Sequence, residues 1–215
     1  MLKESNSPRL STLVSTYFSF YFRSLASAEH WDEQYKAGDW DGLRSDPSQM
    51  GHHMVVLGYT LRAGSNPRIL DVGCGSGGWL EYIQRAGMPY ERYLGIDVST
   101  EGIELARPLA DARTEFAVCA DGATYTPTER YDAIVFNEVV WYFKNPGEVL
   151  ARYAQHLTDR GVLIVSLYQL MSALPRWWSI DRHFHTVDKV QVQSQFHKWQ
   201  IRLLAPGSRP LPASG

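Results

Sequence analysis

Short apolar runs alternate with amphipathic segments along the central part of the chain, from residue 68 to residue 167. The runs are rich in β-branched and aromatic residues, whereas the segments between them repeat apolar residues at the spacing of a helix. This alternation is typical of a parallel sheet whose two faces are covered by helices. The predicted strands are residues 68–72, 93–96, 116–119, 131–136 and 161–167.

The last third of the chain has a different pattern. Residues 175–184 are predicted to form a helix or helical turn, and residues 187–192 and 196–204 are predicted to form two more strands. Since only a short connection joins these two strands, we expect them to run antiparallel. The pattern therefore predicts an α/β fold, a Rossmann-like three-layer sandwich around a mostly parallel sheet of seven strands.

Two predicted helical segments, residues 30–44 and 49–61, precede the first strand. A polar stretch at residues 45–48 separates them. Open α/β sheets bind ligands at the carboxyl ends of their strands, and segments in this position can cover those ends. We therefore expect a helical lid at residues 29–64, within a domain that extends from residue 29 to residue 205.

The two ends of the chain differ from this domain. Residues 10–28 are apolar and aromatic, but Arg23 and several hydroxyl side chains make them a poor membrane span. We expect residues 1–28 to form a helical extension that contacts the domain, a partner protein or a membrane surface. Residues 206–215 are rich in Pro, Gly and Ser and are predicted to be a disordered tail.

Composition narrows the possible partners. The chain has 215 residues, which suits one domain, and 21 basic against 23 acidic side chains. This balance gives no electrostatic reason to bind nucleic acid, so a small-molecule substrate is expected. Cys74 and Cys119 lack the spacing of metal ligands and are too few for a disulfide scaffold. A cytoplasmic protein without a metal is therefore expected.

A glycine-rich turn follows the first strand, and a helix begins directly after it, near Trp79. Glycines in such a turn let a ligand approach the backbone, and the helix start offers unpaired N–H groups. Residues 73–78 satisfy both GxGxxG and GxGxG, so an NAD-dependent dehydrogenase is one alternative. Three acids refine this interpretation, since they occur at the ends of the first three strands.

Asp71 lies in the first strand, where its carboxylate favours a cationic group over a pyrophosphate. Asp97 ends the second strand, where it can accept hydrogen bonds from ribose hydroxyls. Asp121 follows the third strand and could reach the amine of an adenine. S-adenosylmethionine presents an amino acid, a ribose and an adenine in this order.

The successive motifs resemble those of class I S-adenosylmethionine-dependent methyltransferases of the small-molecule type. They are residues 69–77, 95–97, 120–122, 131–135 and 161–165. The resemblance implies S-adenosylmethionine as cofactor and S-adenosylhomocysteine as product. It also implies a strand order of 3-2-1-4-5-7-6, with strand 7 antiparallel.

The resemblance also implies a role for each matching position. The methionine end would contact Asp71 and the backbone of Gly73 and Gly75, with Asn137 beside it. Asp97 would bind the ribose, Val98 would pack on the adenine, and Asp121 with Gly122 would contact the adenine amine. The upstream Trp31, Tyr35 and Arg44 resemble the lid of family members in which a Tyr or Arg meets the cofactor carboxylate, although helix packing explains Trp31 and Tyr35 equally well.

Methyl transfer is an in-line displacement, so the protein must chiefly align the acceptor and exclude water. A hydroxyl or protonated amine acceptor also needs a base. The candidates are Glu138, which follows the fourth strand, and His52 or His53 on the lid. His183 and His185 are weaker candidates.

Four aromatic residues are candidates for acceptor binding, since their faces suit a sugar ring, a flat aromatic ring or a sulfonium. They are Trp141, Tyr142, Tyr168 and Trp178. Residues 137–143 also resemble a stretch of nodulation N-methyltransferases, which act on chito-oligosaccharides, and of small bacterial methyltransferases. O-methylation of a glycan-like or secondary-metabolite hydroxyl is the preferred hypothesis. The alternatives are N-methylation of an amino sugar or amine, and a non-catalytic protein that binds S-adenosylmethionine for a partner.

Overall fold

The computed structural model describes residues 27–41, 44, 46–194 and 197–207. The predicted helix at residues 10–28 therefore lies almost wholly outside the described residues, as does most of the predicted tail. The described helices include none with the length and apolar content needed to cross a membrane.

The sheet has seven strands in the order β3-β2-β1-β4-β5-β7-β6. Strands β1 to β5 are parallel, and β7 pairs antiparallel with both β5 and β6. This arrangement confirms the predicted fold. The strands are β1 Arg68–Val72, β2 Arg92–Asp97, β3 Thr114–Val118, β4 Tyr131–Asn137, β5 Leu157–Tyr168, β6 Phe184–Gln193 and β7 Lys198–Pro206.

Helices cover both faces of the sheet, and short 3-10 turns flank several of them. Apolar side chains alternate between the two faces: Leu70 and Val72 pack into one core cluster, whereas Ile69 packs into the other. The helices are α1 Ala28–Ala37, α2 Met50–Thr60, α3 Gly78–Arg85, α4 Thr100–Ala106, α5 Pro146–Ala154 and α6 Ala173–Asp181.

Two element boundaries differ from the sequence expectation. Helix α1 ends at Ala37 instead of continuing to Arg44, because Gly38 adopts a left-handed conformation (φ 78°) that closes the helix. Strand β5 begins at Leu157, four residues early, because Leu157 pairs with Tyr131 at the start of β4. Arg44 therefore does not lie on the same helix as Trp31.

The lid helix α1 packs on the start of α4. The side chain of Asp32 accepts hydrogen bonds from Ser99 Oγ (2.6 Å) and from the backbone N–H of Glu101 (3.1 Å). Ser99 in turn caps α4, since its hydroxyl accepts from the N–H of Gly102 (2.9 Å). These bonds hold the lid over the carboxyl ends of β1 and β2.

Candidate active site

The glycine turn between β1 and α3 is held against the end of β2. Gly73, Gly75 and Gly77 all have positive φ, at 75°, 52° and 79°. The N–H of Gly73 donates to the carbonyl of Ile96 (2.8 Å), and the N–H of Gly75 donates to Asp97 Oδ2 (2.8 Å). A Cβ on Gly73 would collide with the side chain of Val139. The sequence needs glycine here for both conformation and space.

Asp71 and Asp97 lie next to this turn. Asp71 is buried, and Tyr93 OH donates to its Oδ2 (2.6 Å), whereas its Oδ1 has no hydrogen-bond partner among the described residues. Burial raises the pKa of Asp71 to about 7. Asp97 also accepts from the N–H of Ser99 (2.9 Å), and burial raises its pKa too. Asp71 thus has an unsatisfied buried oxygen that a cationic ligand group can satisfy.

A cavity of about 780 Å³ extends from the glycine turn, past the end of β4, to the lid and β7. Every predicted site residue contributes to its lining, except Trp178 and the weaker base candidates His183 and His185. The predicted residues in the lining are Trp31, Tyr35, Arg44, His52, His53, Asp71, Gly73, Gly75, Asp97, Val98, Asp121, Gly122, Asn137, Glu138, Trp141, Tyr142 and Tyr168.

Trp178 lies elsewhere. It is on α6 with 63 % of its surface exposed, and it is absent from the cavity lining. His183 and His185 are also exposed outside the lining. Helix α6 presents the neighbouring Trp177 to the core instead, so only one of the two adjacent tryptophans can face inward.

The lid residues contact the cavity from above the glycine turn. Trp31 packs edge-on against Tyr142, with 4.7 Å between ring centroids. The hydroxyl of Tyr35 approaches Gly75 so closely that a side chain there would collide with it. Arg44 lines the cavity and pairs with Glu81 of α3 (3.0 Å). A carboxylate in the cavity would therefore compete with Glu81 for Arg44.

His52 and His53, the two base candidates of the lid, are both buried in the structure. His53 stacks on Tyr82 (4.8 Å), and its Nδ1 lies 3.0 Å from Asn137 Nδ2. The ring of His52 lies between His53 (4.1 Å) and Trp199 of β7 (4.5 Å). Burial lowers the pKa of His53 to about 4 and that of His52 to about 2, so both rings are neutral at pH 7.

Glu138 adopts a left-handed conformation (φ 61°) directly after β4. Its Oε1 accepts from Ser166 Oγ (2.9 Å), and its Oε2 accepts from the N–H of Tyr168 (2.8 Å) and from Trp141 Nε1 (3.4 Å). Burial raises the pKa of Glu138 to about 7. These bonds tie the end of β4 to β5 and to the ring of Trp141, so both carboxylate oxygens are engaged by the protein.

The cavity also has lining residues that sequence reasoning missed. Gln49 precedes His52 and His53 by three and four residues, and this helical spacing was a usable signal. Trp199 and His197 come from the distant strand β7 and its preceding turn, and nothing local in the sequence links them to the lid. The additional aromatic and polar residues in the lining include Trp40, Gln49, Trp79, Phe143, His197 and Trp199.

The chain is similar to known proteins. The profile of a family described as "Methyltransferase domain" matches residues 48–205. The chain belongs to this family. The match confirms the resemblance inferred from the motifs, and together with the antiparallel β6 and β7 it favours a methyltransferase over a dehydrogenase.

Two curated relatives and one solved structure illustrate the likeness. A ubiquinone biosynthesis O-methyltransferase of Bradyrhizobium diazoefficiens is 33 % identical over 153 residues, which are 66 % of this chain and 58 % of the relative. A malonyl-[acyl-carrier protein] O-methyltransferase of Acetivibrio thermocellus is 32 % identical over 137 residues, which are 63 % of this chain and 47 % of the relative. The chain spans about half the length of the curated relatives it matches.

The solved structure is the N-methyltransferase NodS from Bradyrhizobium japonicum WM9 in complex with S-adenosyl-L-homocysteine. It superposes with a TM-score of 0.64 at 21 % identity, and the match covers 76 % of this chain and 90 % of NodS. At this identity the likeness shows the shared fold.

Proposed function

We propose that this protein is an S-adenosylmethionine-dependent methyltransferase that methylates a hydroxyl group of a small, ring-shaped acceptor, such as a glycan-like sugar or a secondary metabolite. The observation that carries this proposal is the position of His53. Its neutral, buried ring lies in an aromatic cavity that is continuous with the glycine turn, and it contacts Asn137 at the end of β4.

The cavity residues fit the cofactor. Asp71 Oδ1 is buried and unpartnered among the described residues, and it suits the ammonium group of the methionine part. Asp97 retains lone pairs for ribose hydroxyls after accepting from the two backbone N–H groups. Val98, Asp121 and Gly122 are left for the adenine. When bound, the cofactor supplies a methyl group on a sulfonium.

His53 has the surroundings of a general base. Asn137 Nδ2 lies against His53 Nδ1, and Asn137 Oδ1 has no partner among the described residues; we propose that the amide is turned by 180°, so that its oxygen accepts the proton on Nδ1. The lone pair then lies on Nε2, which can accept the proton of an acceptor hydroxyl. Glu138 is less suited to this role, because Ser166, Tyr168 and Trp141 already engage its oxygens.

Aromatic rings account for much of the cavity wall. The aromatic residues in its lining include Trp31, Trp141, Tyr142, Tyr168 and Trp199. Such rings exclude water from the reacting atoms, attract the positive sulfonium, and offer flat faces to a cyclic acceptor. Among the described residues, no group of His, Cys, Asp and Glu side chains could hold a metal ion.

A methyl-transfer assay with labelled cofactor tests this function on paired phenols, sugars, amino sugars and amines. We expect hydroxyl acceptors to be methylated. His53→Phe, which keeps the stack on Tyr82, should lower kcat by about 10²–10⁴-fold without weakening S-adenosylhomocysteine binding. His185→Phe is the matched control, since His185 is exposed outside the cavity.

Two results would contradict the proposal. Preferential methylation of amines would show the N-methyltransferase alternative to be correct. Binding of S-adenosylhomocysteine without transfer to any acceptor would favour the non-catalytic alternative.

A further inference from the structure

Two polar side chains of the lid line the cavity without serving any role derived so far. Gln49 is 8 % exposed and His52 is 1 % exposed, so both are more than nine-tenths buried. Among the described residues, neither side chain makes a hydrogen bond, and His52 Nδ1 is buried without a partner. Buried polar groups are rarely left unsatisfied in folded proteins, so the His52 nitrogen indicates a ligand, and Gln49 lies one helical turn away from it in the same cavity lining.

Both residues line the cavity on its lid side, next to His53. Gln49 and His52 are three residues apart, so they lie on one face of the lid. The His52 ring is 4.1 Å from the His53 ring and 4.5 Å from Trp199, which in turn is 5.7 Å from Tyr168. Aromatic rings therefore line this end of the cavity, together with the neutral imidazole of His52 and the neutral amide of Gln49.

The two groups suit uncharged oxygen substituents. A carboxamide is neutral, and burial lowers the pKa of His52 to about 2, so neither group can offer a positive charge to a carboxylate or phosphate. A hydroxyl, in contrast, can donate to one group and accept from the other. An oxygen held here would be the neighbour of an oxygen placed at His53, because the two imidazoles are adjacent.

We propose that Gln49 and His52 form a subsite for a second hydroxyl group, so that the acceptor is an uncharged ring with hydroxyls on adjacent carbons. One hydroxyl contacts Gln49 and His52, and the other contacts His53. The subsite deepens the proposed function and rests on it for the identity of the methylated hydroxyl. Gln49 and His52 are specificity-determining residues in this scheme, and His53 remains the base.

The test compares diols with mono-hydroxyl counterparts. Catechol is paired with phenol, and cyclohexane-1,2-diol with cyclohexanol. The variants are His52→Phe, which keeps the stack on Trp199, and Gln49→Leu, which keeps most of the volume. Each should lower the ratio of kcat/KM for the diol to that for the mono-hydroxyl compound by about tenfold, mainly through the KM of the diol. Gln155→Leu and His185→Phe are controls, because both residues are exposed outside the cavity.

A binding experiment separates this inference from the proposed function. Diols are titrated into protein saturated with S-adenosylhomocysteine, and we expect each variant to weaken diol binding by about tenfold. Diol binding that depends on Gln49 and His52 without methyl transfer would overturn the proposed function and support the subsite. Methyl transfer with an unchanged diol preference in both variants would overturn the subsite. Absence of diol binding to the wild-type protein would overturn it as well.

Discussion

At the residue scale, burial gives several side chains properties that their positions in the sequence do not reveal. Asp71 was expected to face a cationic group because it lies in β1 next to the glycine turn. The structure adds the hydroxyl of Tyr93 on one carboxylate oxygen and no described partner on the other. The resulting rise of the Asp71 pKa to about 7 depends on this enclosure.

This pKa predicts a pH dependence of cofactor binding. Below pH 7 the Asp71 carboxyl is protonated in the free protein, and an ammonium ligand must displace that proton. Affinity for S-adenosylhomocysteine should therefore rise by up to about tenfold per pH unit as the pH approaches 7, and then level off. Calorimetric titrations across this range measure the slope.

Two variants test whether Asp71 is the group whose titration causes this pH dependence. Asp71→Asn should abolish the slope, because the amide does not titrate. Glu138→Gln should retain it, although the pKa of Glu138 is also about 7. A pH-independent affinity of the wild-type protein would show that Asp71 does not meet the ammonium group.

Individual residues were predictable to different degrees. Gly73, Asp97 and Asn137 were predicted to lie together and do line one cavity, because each stands at or just after the carboxyl end of a strand. The environment of His52 could not be predicted from the sequence, because its ring is covered by Trp199, which lies 147 positions further along the chain. Glu138 was found as a candidate, but its three hydrogen-bond donors come from β5 and from the 3-10 turn after β4.

At the element scale, the glycine turn is the most constrained part of the site. Gly73→Ala introduces a side chain at positive φ and against Val139, so it should distort the turn and abolish measurable S-adenosylhomocysteine binding. Gly87→Ala provides the control, because Gly87 also has positive φ (63°) but a Cβ there would have no neighbouring atom within 4 Å. Thermal unfolding of both variants measures the loss of stability caused by backbone strain. Calorimetric titration of both variants with S-adenosylhomocysteine measures the loss of binding.

The expected pattern is a similar, modest loss of stability in both variants, with loss of binding only in Gly73→Ala. Equal binding in the two variants would mean that the turn is not where the cofactor lies.

The sequence predicted the types of the helices and strands better than the residues at which they begin and end. Strands β1 and β4 match their apolar runs closely, because central strands of a parallel sheet are buried on both faces. The predicted helix α1 was too long, since the polar residues after Gly38 continue a helical pattern although the chain leaves the helix there. The early start of β5 depends on pairing with β4, which local periodicity does not encode.

At the scale of the whole molecule, the cavity is assembled from three distant parts of the chain. The lid provides Gln49, His52 and His53. The strand ends provide Asn137 and the carboxylates of Asp71, Asp97 and Asp121, and β7 provides Trp199. The strand order was predicted through the family resemblance, whereas the meeting of the lid with β7 was not. For this reason the residues predicted around the glycine turn do line one cavity, whereas Trp199 and His197 in the same lining were not predicted.

The central claim is that this cavity binds S-adenosylmethionine, and calorimetry with S-adenosylhomocysteine and with NAD tests it most directly. The wild-type protein should bind S-adenosylhomocysteine and not NAD, and Asp97→Ala should weaken that binding by about 1–3 kcal/mol because the ribose hydrogen bonds are lost. Tight binding of NAD with no response to S-adenosylhomocysteine would contradict the account.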